Sequence, residues 1–178
     1  IAITALFISK ANAQREDKQF SFGFGVEGGP LLGDKNFKHE FGAEAGLSLR
    51  FSYKVGPGYA TFTPGGLLVF PKSVNADAAE VKIGTHVPLK LGYKYIVGKF
   101  FVMGEAGYAL YNLYTVNENS ESINDVEKIK GGGFTYAPSI GANLGVFEIG
   151  LRYESTLAKF EGTKITPSML GLRLGFNF

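Results

Sequence analysis

From Ser168 to Phe178 the chain alternates without a break. Leu170, Leu172, Leu174, Phe176 and Phe178 take one phase, and Met169, Gly171, Arg173, Gly175 and Asn177 take the other. Side chains of an extended strand point to opposite faces in turn, so this segment reads as a strand with one greasy face and one face of glycine and polar groups. The rhythm recurs upstream. Phe41, Ala43, Ala45, Leu47, Leu49, Phe51 and Tyr53 oppose Gly42, Glu44, Gly46, Ser48, Arg50 and Ser52, and Phe20, Phe22, Phe24 and Val26 oppose Ser21, Gly23, Gly25 and Glu27. The pattern predicts eight strands, near 20–31, 40–54, 58–70, 81–95, 99–113, 134–144, 146–156 and 168–178. Most are long enough to cross a bilayer as tilted strands.

The connections alternate in length. Three are short, near 55–57, 96–98 and 144–146, and four are longer and more polar, at 32–39, 71–80, 114–133 and 155–167. Gly131, Gly132 and Gly133 read as a flexible joint between the longest loop and the next strand. Pro64, Gly65 and Gly66 interrupt the third alternation, and Pro88 and Pro138 fall inside strands. Each such proline removes a ladder donor, so bulges are expected there.

Size decides which face looks out. An eight-stranded barrel is barely wide enough to be filled by side chains. The apolar phase carries Phe, Leu, Tyr and Ile, which would overfill it; the other phase is largely Gly, Ser and Ala with scattered charges. The bulky phase therefore faces outward, and an apolar belt of that extent is tolerated by lipid, not by water. Closure also gives every backbone N–H and C=O a partner inside hydrocarbon. The fold class is an all-β transmembrane up-and-down antiparallel barrel. Tyr53, Tyr59, Tyr93, Tyr95, Phe100, Phe147, Phe176 and Phe178 toward the short turns, and Phe41, Phe70, Phe134 and Tyr153 toward the loops, suggest two interfacial girdles.

Length and charge bound the rest. The 178 residues make one domain, and a formal charge of +2 gives no basic field for nucleic acid. Absence of cysteine excludes disulfides, thiol catalysis and thiolate metal sites. Ile1 to Ile8 is an apolar run broken only by Thr4, followed by Ala11-Asn12-Ala13. That is the form of a signal-peptide end, so 1–13 is expected to be a cleaved remnant and 14–178 the barrel.

Four stretches carry a family resemblance: His86 through Tyr95, Phe101 through Gly107, Ile149 through Glu154, and Leu172 through Phe178. With these the chain resembles the small outer-membrane β-barrels of Gram-negative bacteria that include the OmpX-like and OmpA-like proteins, and within them the subgroup labelled porin-family or outer-membrane β-barrel domain. The resemblance implies a bacterial outer-membrane location, outer-membrane lipid around the wall, and periplasmic chaperones and the barrel-assembly machinery as partners during biogenesis. It also implies that the terminal strand, through Leu174, Phe176 and Phe178, is the assembly signal.

The inward phase holds Glu27, Glu44, Arg50, Lys82, His86, Lys90, Lys94, Glu105, Glu148, Glu154, Arg152 and Arg173, five carboxylates against six cations and a histidine. Buried charges need partners, so the set is expected to form a structural network and not an ion path. Its core is Glu27, Glu44, Arg50, Lys90, Glu105, Glu148, Arg152 and Arg173, with Glu44, Arg50, Glu105, Arg152 and Arg173 expected at the centre. No catalytic residue, metal site or cofactor is expected. His39 and His86 lie far apart in sequence, there is no G-x-S-x-G, and the one conceivable hydrolytic trio, His39, Ser168 and Glu161 at the outer rim, is not a sequence cluster. The expected function is a non-enzymatic barrel with a structural role or a loop-mediated binding or adhesion role toward an extracellular or membrane partner. The alternatives are a narrow channel for small solutes or ions, and a lipid A-modifying enzyme.

Overall fold

The computed structural model describes residues 18–72, 80–117 and 126–178, so the expected signal remnant at 1–13 lies outside the described residues. The chain runs β1 (Phe20–Gly33), α1 (Lys35–Glu40), β2 (Phe41–Val55), β3 (Gly58–Pro71), β4 (Glu80–Val97), β5 (Phe100–Asn117), β6 (Val126–Leu144), β7 (Phe147–Phe160), β8 (Thr163–Ile165) and β9 (Pro167–Asn177). Each strand from β1 to β7 pairs antiparallel with the next, β7 pairs with β9, and β9 pairs back with β1. The wall is thus a closed ring of the eight long strands. β8 is a three-residue spur that folds back on Ala158, Lys159 and Phe160 of β7. At the closing seam Phe24 sits opposite Phe176 and Glu27 opposite Arg173.

The three short connections are two-residue turns at Gly56-Pro57, Gly98-Lys99 and Gly145-Val146. Their first positions have φ of +59°, +59° and +69°, and glycine first with an ordinary second residue is the II′ hairpin form. Both described ends lie on this side of the barrel. Lys54 donates its amide to Gln19 O, and Phe22 and Phe178 exchange backbone hydrogen bonds.

The prolines behave otherwise than expected. No register shift occurs at Pro64, Pro88 or Pro138. The β3–β4 ladder skips Gly65 and Gly66 opposite Pro88 and Val87, the β6–β7 ladder skips Ala137 and Pro138, and both resume in the same register. A missing N–H removes a bond on one side only, and the neighbour on the other side holds the alignment: Pro138 stays paired with Gly104, and Pro88 with Ala109. The irregularity falls instead between Phe41 and Ala43 on β2. It shifts the phase, so Phe41 is buried with Glu44 and does not belong to an outer girdle. Tyr59 also leaves the girdle, since it is half-buried and lines the mouth at the short turns.

Three long connections carry more structure than their composition suggests. β5 continues to Asn117 and β6 begins at Val126, so Gly131, Gly132 and Gly133 lie within β6, paired on both sides. They are no flexible joint. A Cβ on Gly131 would collide with the Phe160 ring, which fills that space. In 32–39 the chain forms α1, started by Asp34, whose side chain accepts from the Phe37 amide at 3.3 Å. In 155–167 β7 runs on to Phe160 and turns at Glu161 and Gly162, both at positive φ.

The outward phase carries exposed apolar side chains on every long strand, with Leu91 67% and Phe100 70% exposed. Such a belt stands in hydrocarbon. Two outcomes follow. Folded in detergent, the protein migrates at a different apparent mass when unboiled than when boiled, and equal mobility would argue against a closed wall. Leu151→Arg, on the exposed phase of β7, lowers bilayer unfolding stability by about 2–4 kcal/mol if it sits near the midplane. Urea titration in lipid vesicles measures it.

Candidate functional site

The lumen is filled by charged side chains delivered from the inward phase of six strands. All eight core residues expected from sequence are buried: Glu27, Glu44, Arg50, Lys90, Glu105, Glu148, Arg152 and Arg173. His86, Lys94 and Glu154 are buried with them, while the Lys82 side chain lies outside the described set. The inward glycines make this packing possible. A Cβ on Gly25 would stand 2.8 Å from the Arg173 guanidinium carbon. Bulk removed from the backbone becomes room for arginine.

The charges form stacked layers. Nearest the short turns, Glu148 receives Arg50, Lys94 and Arg173, the last through Nη1 at 2.8 Å. Asn177 donates to the same carboxylate at 3.4 Å, and Arg173 Nε donates to Ser48 Oγ at 3.2 Å. In the middle, Arg152 donates to Glu27 at 2.5 Å and to Glu105 at 2.6 Å, and its Nη1 lies 3.9 Å from Glu154. Charge-assisted contacts of this length are the strong class. Above them Lys90 pairs with Glu154, and His86 hydrogen-bonds Glu44 through Nδ1 at 2.8 Å while its Nε2 stands 3.7 Å from Glu154 without a hydrogen bond. The hubs are Glu148 and Arg152. Glu44 does not meet Arg50 or Arg173; it stands at the upper end with His86 as its hydrogen-bond partner.

A cap closes the network toward the loops. Tyr111 stacks on His86, with centroids 4.2 Å apart and planes at 7°. Phe37 of α1 meets Phe41, Tyr111 and Phe160, reaching from β2 across to β5 and β7. Leu31, Leu67, Val69, Ala109, Ala158 and Met169 complete a buried apolar cluster. The interior is therefore not purely polar. Phe101 and Met103 also turn inward lower down. The gap left among Arg50, Phe101, Ser139, Glu148, Gly150, Arg152 and Arg173 leaves no room for a water molecule.

The sequence reading missed this cap. Its one local signal was a Phe three residues after Asp34 in an otherwise polar stretch, a capped turn with an apolar side. The rim trio does not assemble. Ser168 is buried with its Oγ 2.9 Å from Ser155 Oγ, while His39 stands exposed on α1, 3.9 Å from Glu40, and Glu161 lies in the β7–β8 turn. No hydrogen bond or ion pair joins the three among the described residues.

No protein-family model and no curated protein matches the chain. Solved structures do. Ail, the attachment invasion locus protein of Yersinia pestis, aligns with a TM-score of 0.60 at 14% identity, covering 89% of this chain and 97% of that one. The N-terminal β-barrel domain of Pseudomonas aeruginosa OprF gives 0.60 at 15% identity, over 89% and 97%. Neisserial surface protein A gives 0.57 at 10% identity, over 90% and 98%. Identity this low speaks for architecture alone, and the architecture matches over nearly the whole of each chain: the fold is that of the small eight-stranded barrels.

Proposed function

We propose that the protein is a non-enzymatic outer-membrane barrel that holds a binding surface beyond the bilayer and does not conduct. The observation that carries the reading is the unequal height of the wall. The β3–β4 ladder ends at Val69 opposite Gly84, yet β4 continues to Glu80, paired with β5 up to Asn117. The β6–β7 ladder ends at Gly131 opposite Phe160, yet β6 stays paired with β5 to Val126 opposite Val116. β4, β5 and β6 thus rise above the ring as a small sheet. The outer sides of 80–83 and 126–130 have no sheet neighbour among the described residues. An edge with open backbone groups accepts a strand from another chain. One structural neighbour is named for attachment and invasion, which agrees with a contact role at this end.

What supports a closed lumen is its filling: three ion layers, a gap too small for water, and an aromatic cap. Among the described residues a hydrolytic reading has no assembled nucleophile and base behind it. During biogenesis the partners are chaperones and the barrel-assembly machinery, reading Leu174 and Phe176, exposed on β9, and the exposed Phe178 that follows it.

Three measurements bear on this. In planar bilayers the protein gives no discrete conductance steps; regular steps would favour the channel. Replacing 114–128 by a two-residue turn, which keeps Leu113 opposite Ile129, leaves mobility on unboiled gels unchanged and abolishes retention of protein-bearing vesicles on cell surfaces. Undiminished retention would remove the projection from the function. Glu148→Gln strips three cations of their shared carboxylate. It lowers stability by roughly 3–5 kcal/mol in urea unfolding, the usual effect of breaking a buried ion cluster.

A further inference from the structure

The outer face of the wall changes character at the loop end of β6, β7 and β8. On β7 the exposed Leu157 is followed in the outward phase by the exposed Lys159. On β6 the exposed Phe134 is followed toward the loops by Gly132, then by the exposed Lys130 and Lys128. Lys164 of β8, also exposed, lies directly opposite Lys159, and Gly132 lies opposite Lys159 on its other side. Side chains of directly opposite residues stand on one face of a sheet. Lys128, Lys130, Lys159 and Lys164 therefore share the outward face, just above the apolar belt.

Among the described residues no ion pair involves Lys130, Lys159 or Lys164, and Lys128 rests its ammonium 5.1 Å from the centre of the Tyr114 ring. Glu161, exposed at the tip of the β7–β8 hairpin, pairs with none of them. Like charges directly opposite each other on neighbouring strands are destabilising, yet the register sets Lys159 against Lys164. Gly132 puts no side chain between Lys159 and Lys130, which leaves a notch bordered by Leu110 and Tyr108.

Height decides what can answer these charges. Two residues advance a strand by about 7 Å, which at a tilt near 45° is about 5 Å along the membrane normal. The headgroup layer on each side of the hydrocarbon is about 5–7 Å deep. Lys159, two residues beyond Leu157, falls inside that layer with Lys164 beside it, and Lys130 stands at its outer margin. A soluble acidic partner would have to displace headgroups from this level, whereas a lipid phosphate is already there. We propose that Lys159 and Lys164, with Lys130 next to them, form a site for the phosphate headgroup of an anionic lipid in the loop-side leaflet. A phosphate between the two opposed ammonium groups accepts from both and removes their repulsion. Its acyl chains continue down the wall over Leu157 and Phe134, both exposed. The site rests on the wall standing in a bilayer and not on what binds at the projection.

The test uses the full chain folded in maltoside micelles at fixed ionic strength, with native mass spectrometry counting retained lipid. One arm titrates phosphatidic acid, a second phosphatidylcholine of the same acyl chains, and a third a soluble polyglutamate peptide. Phosphatidic acid is retained at concentrations where phosphatidylcholine is not. Lys159→Gln and Lys164→Gln each weaken that retention roughly fivefold, the worth of one basic side chain near an anionic headgroup, while Lys159→Arg keeps it. Both positions are exposed, and mobility on unboiled gels checks that each variant is folded. Lys72→Gln makes the same change of charge at an exposed residue just past β3, across the ring from β7, and leaves retention unchanged. Equal retention of the two lipids, no loss in either lysine variant, an equal loss in Lys72→Gln, or lysine-dependent binding of polyglutamate with none of phosphatidic acid overturns the proposal.

Discussion

Width is the constraint on which the rest of this molecule depends. A ring of eight strands encloses a space that side chains can just fill, so what the inward phase carries must fit and must satisfy itself. Here it carries five carboxylates, Glu27, Glu44, Glu105, Glu148 and Glu154, with Arg50, Lys90, Lys94, Arg152 and Arg173 as their cations. Each ion buried without a partner would cost several kcal/mol, and removing one partner strands the others. Two hubs meet the requirement. Glu148 gathers three cations, and the fork of Arg152 reaches Glu27 and Glu105 at once. Arginine suits the second role because its donors are fixed in one plane, which a lysine cannot imitate.

The network is coupled to the cap by one stacked pair. His86 meets Glu44 with one ring nitrogen and lies flat against Tyr111. Tyr111 in turn contacts Phe37 and Phe160. Polar interior and aromatic lid are therefore a single packed column, and α1 is held by the wall through Phe37, not merely tethered at its ends. The empty space lies at the other mouth, where the turns are short and no such lid exists among the described residues.

Much of this was legible in the sequence. Unbroken alternation in 168–178 fixed both the strand and its inward arginine, and Glu44, Ser48, Arg50 and Ser52 marked the inward phase of β2. Phase is weakly marked where both faces are apolar. In Phe100-Phe101-Val102-Met103 only Glu105 downstream sets the parity, which leaves Phe100 outside as expected and buries Phe101 and Met103. Reading failed at Phe41, because a one-residue irregularity reverses phase without leaving any compositional mark. The prolines misled in the opposite sense, since a ring can lose single bonds and keep register through its other neighbours. Which charges meet was beyond reach from phase alone. Glu148 and Arg50 lie on strands far apart around the order of pairing, and only closure brings their side chains together.

Almost every strand pairing joins neighbours in the chain and can form as a local hairpin. The contact between β1 and β9 is the exception: Gly23 faces Asn177 across nearly the entire polypeptide. Loop-closure entropy for so distant a meeting must be met before its hydrogen bonds are gained. Until that zip closes, two strand margins remain raw, and Arg173 lacks the opposite side of its seat. Completion of the circle is thus the step that converts a row of hairpins into an insulated object, and its last participants are the residues nearest the two tips of the described chain.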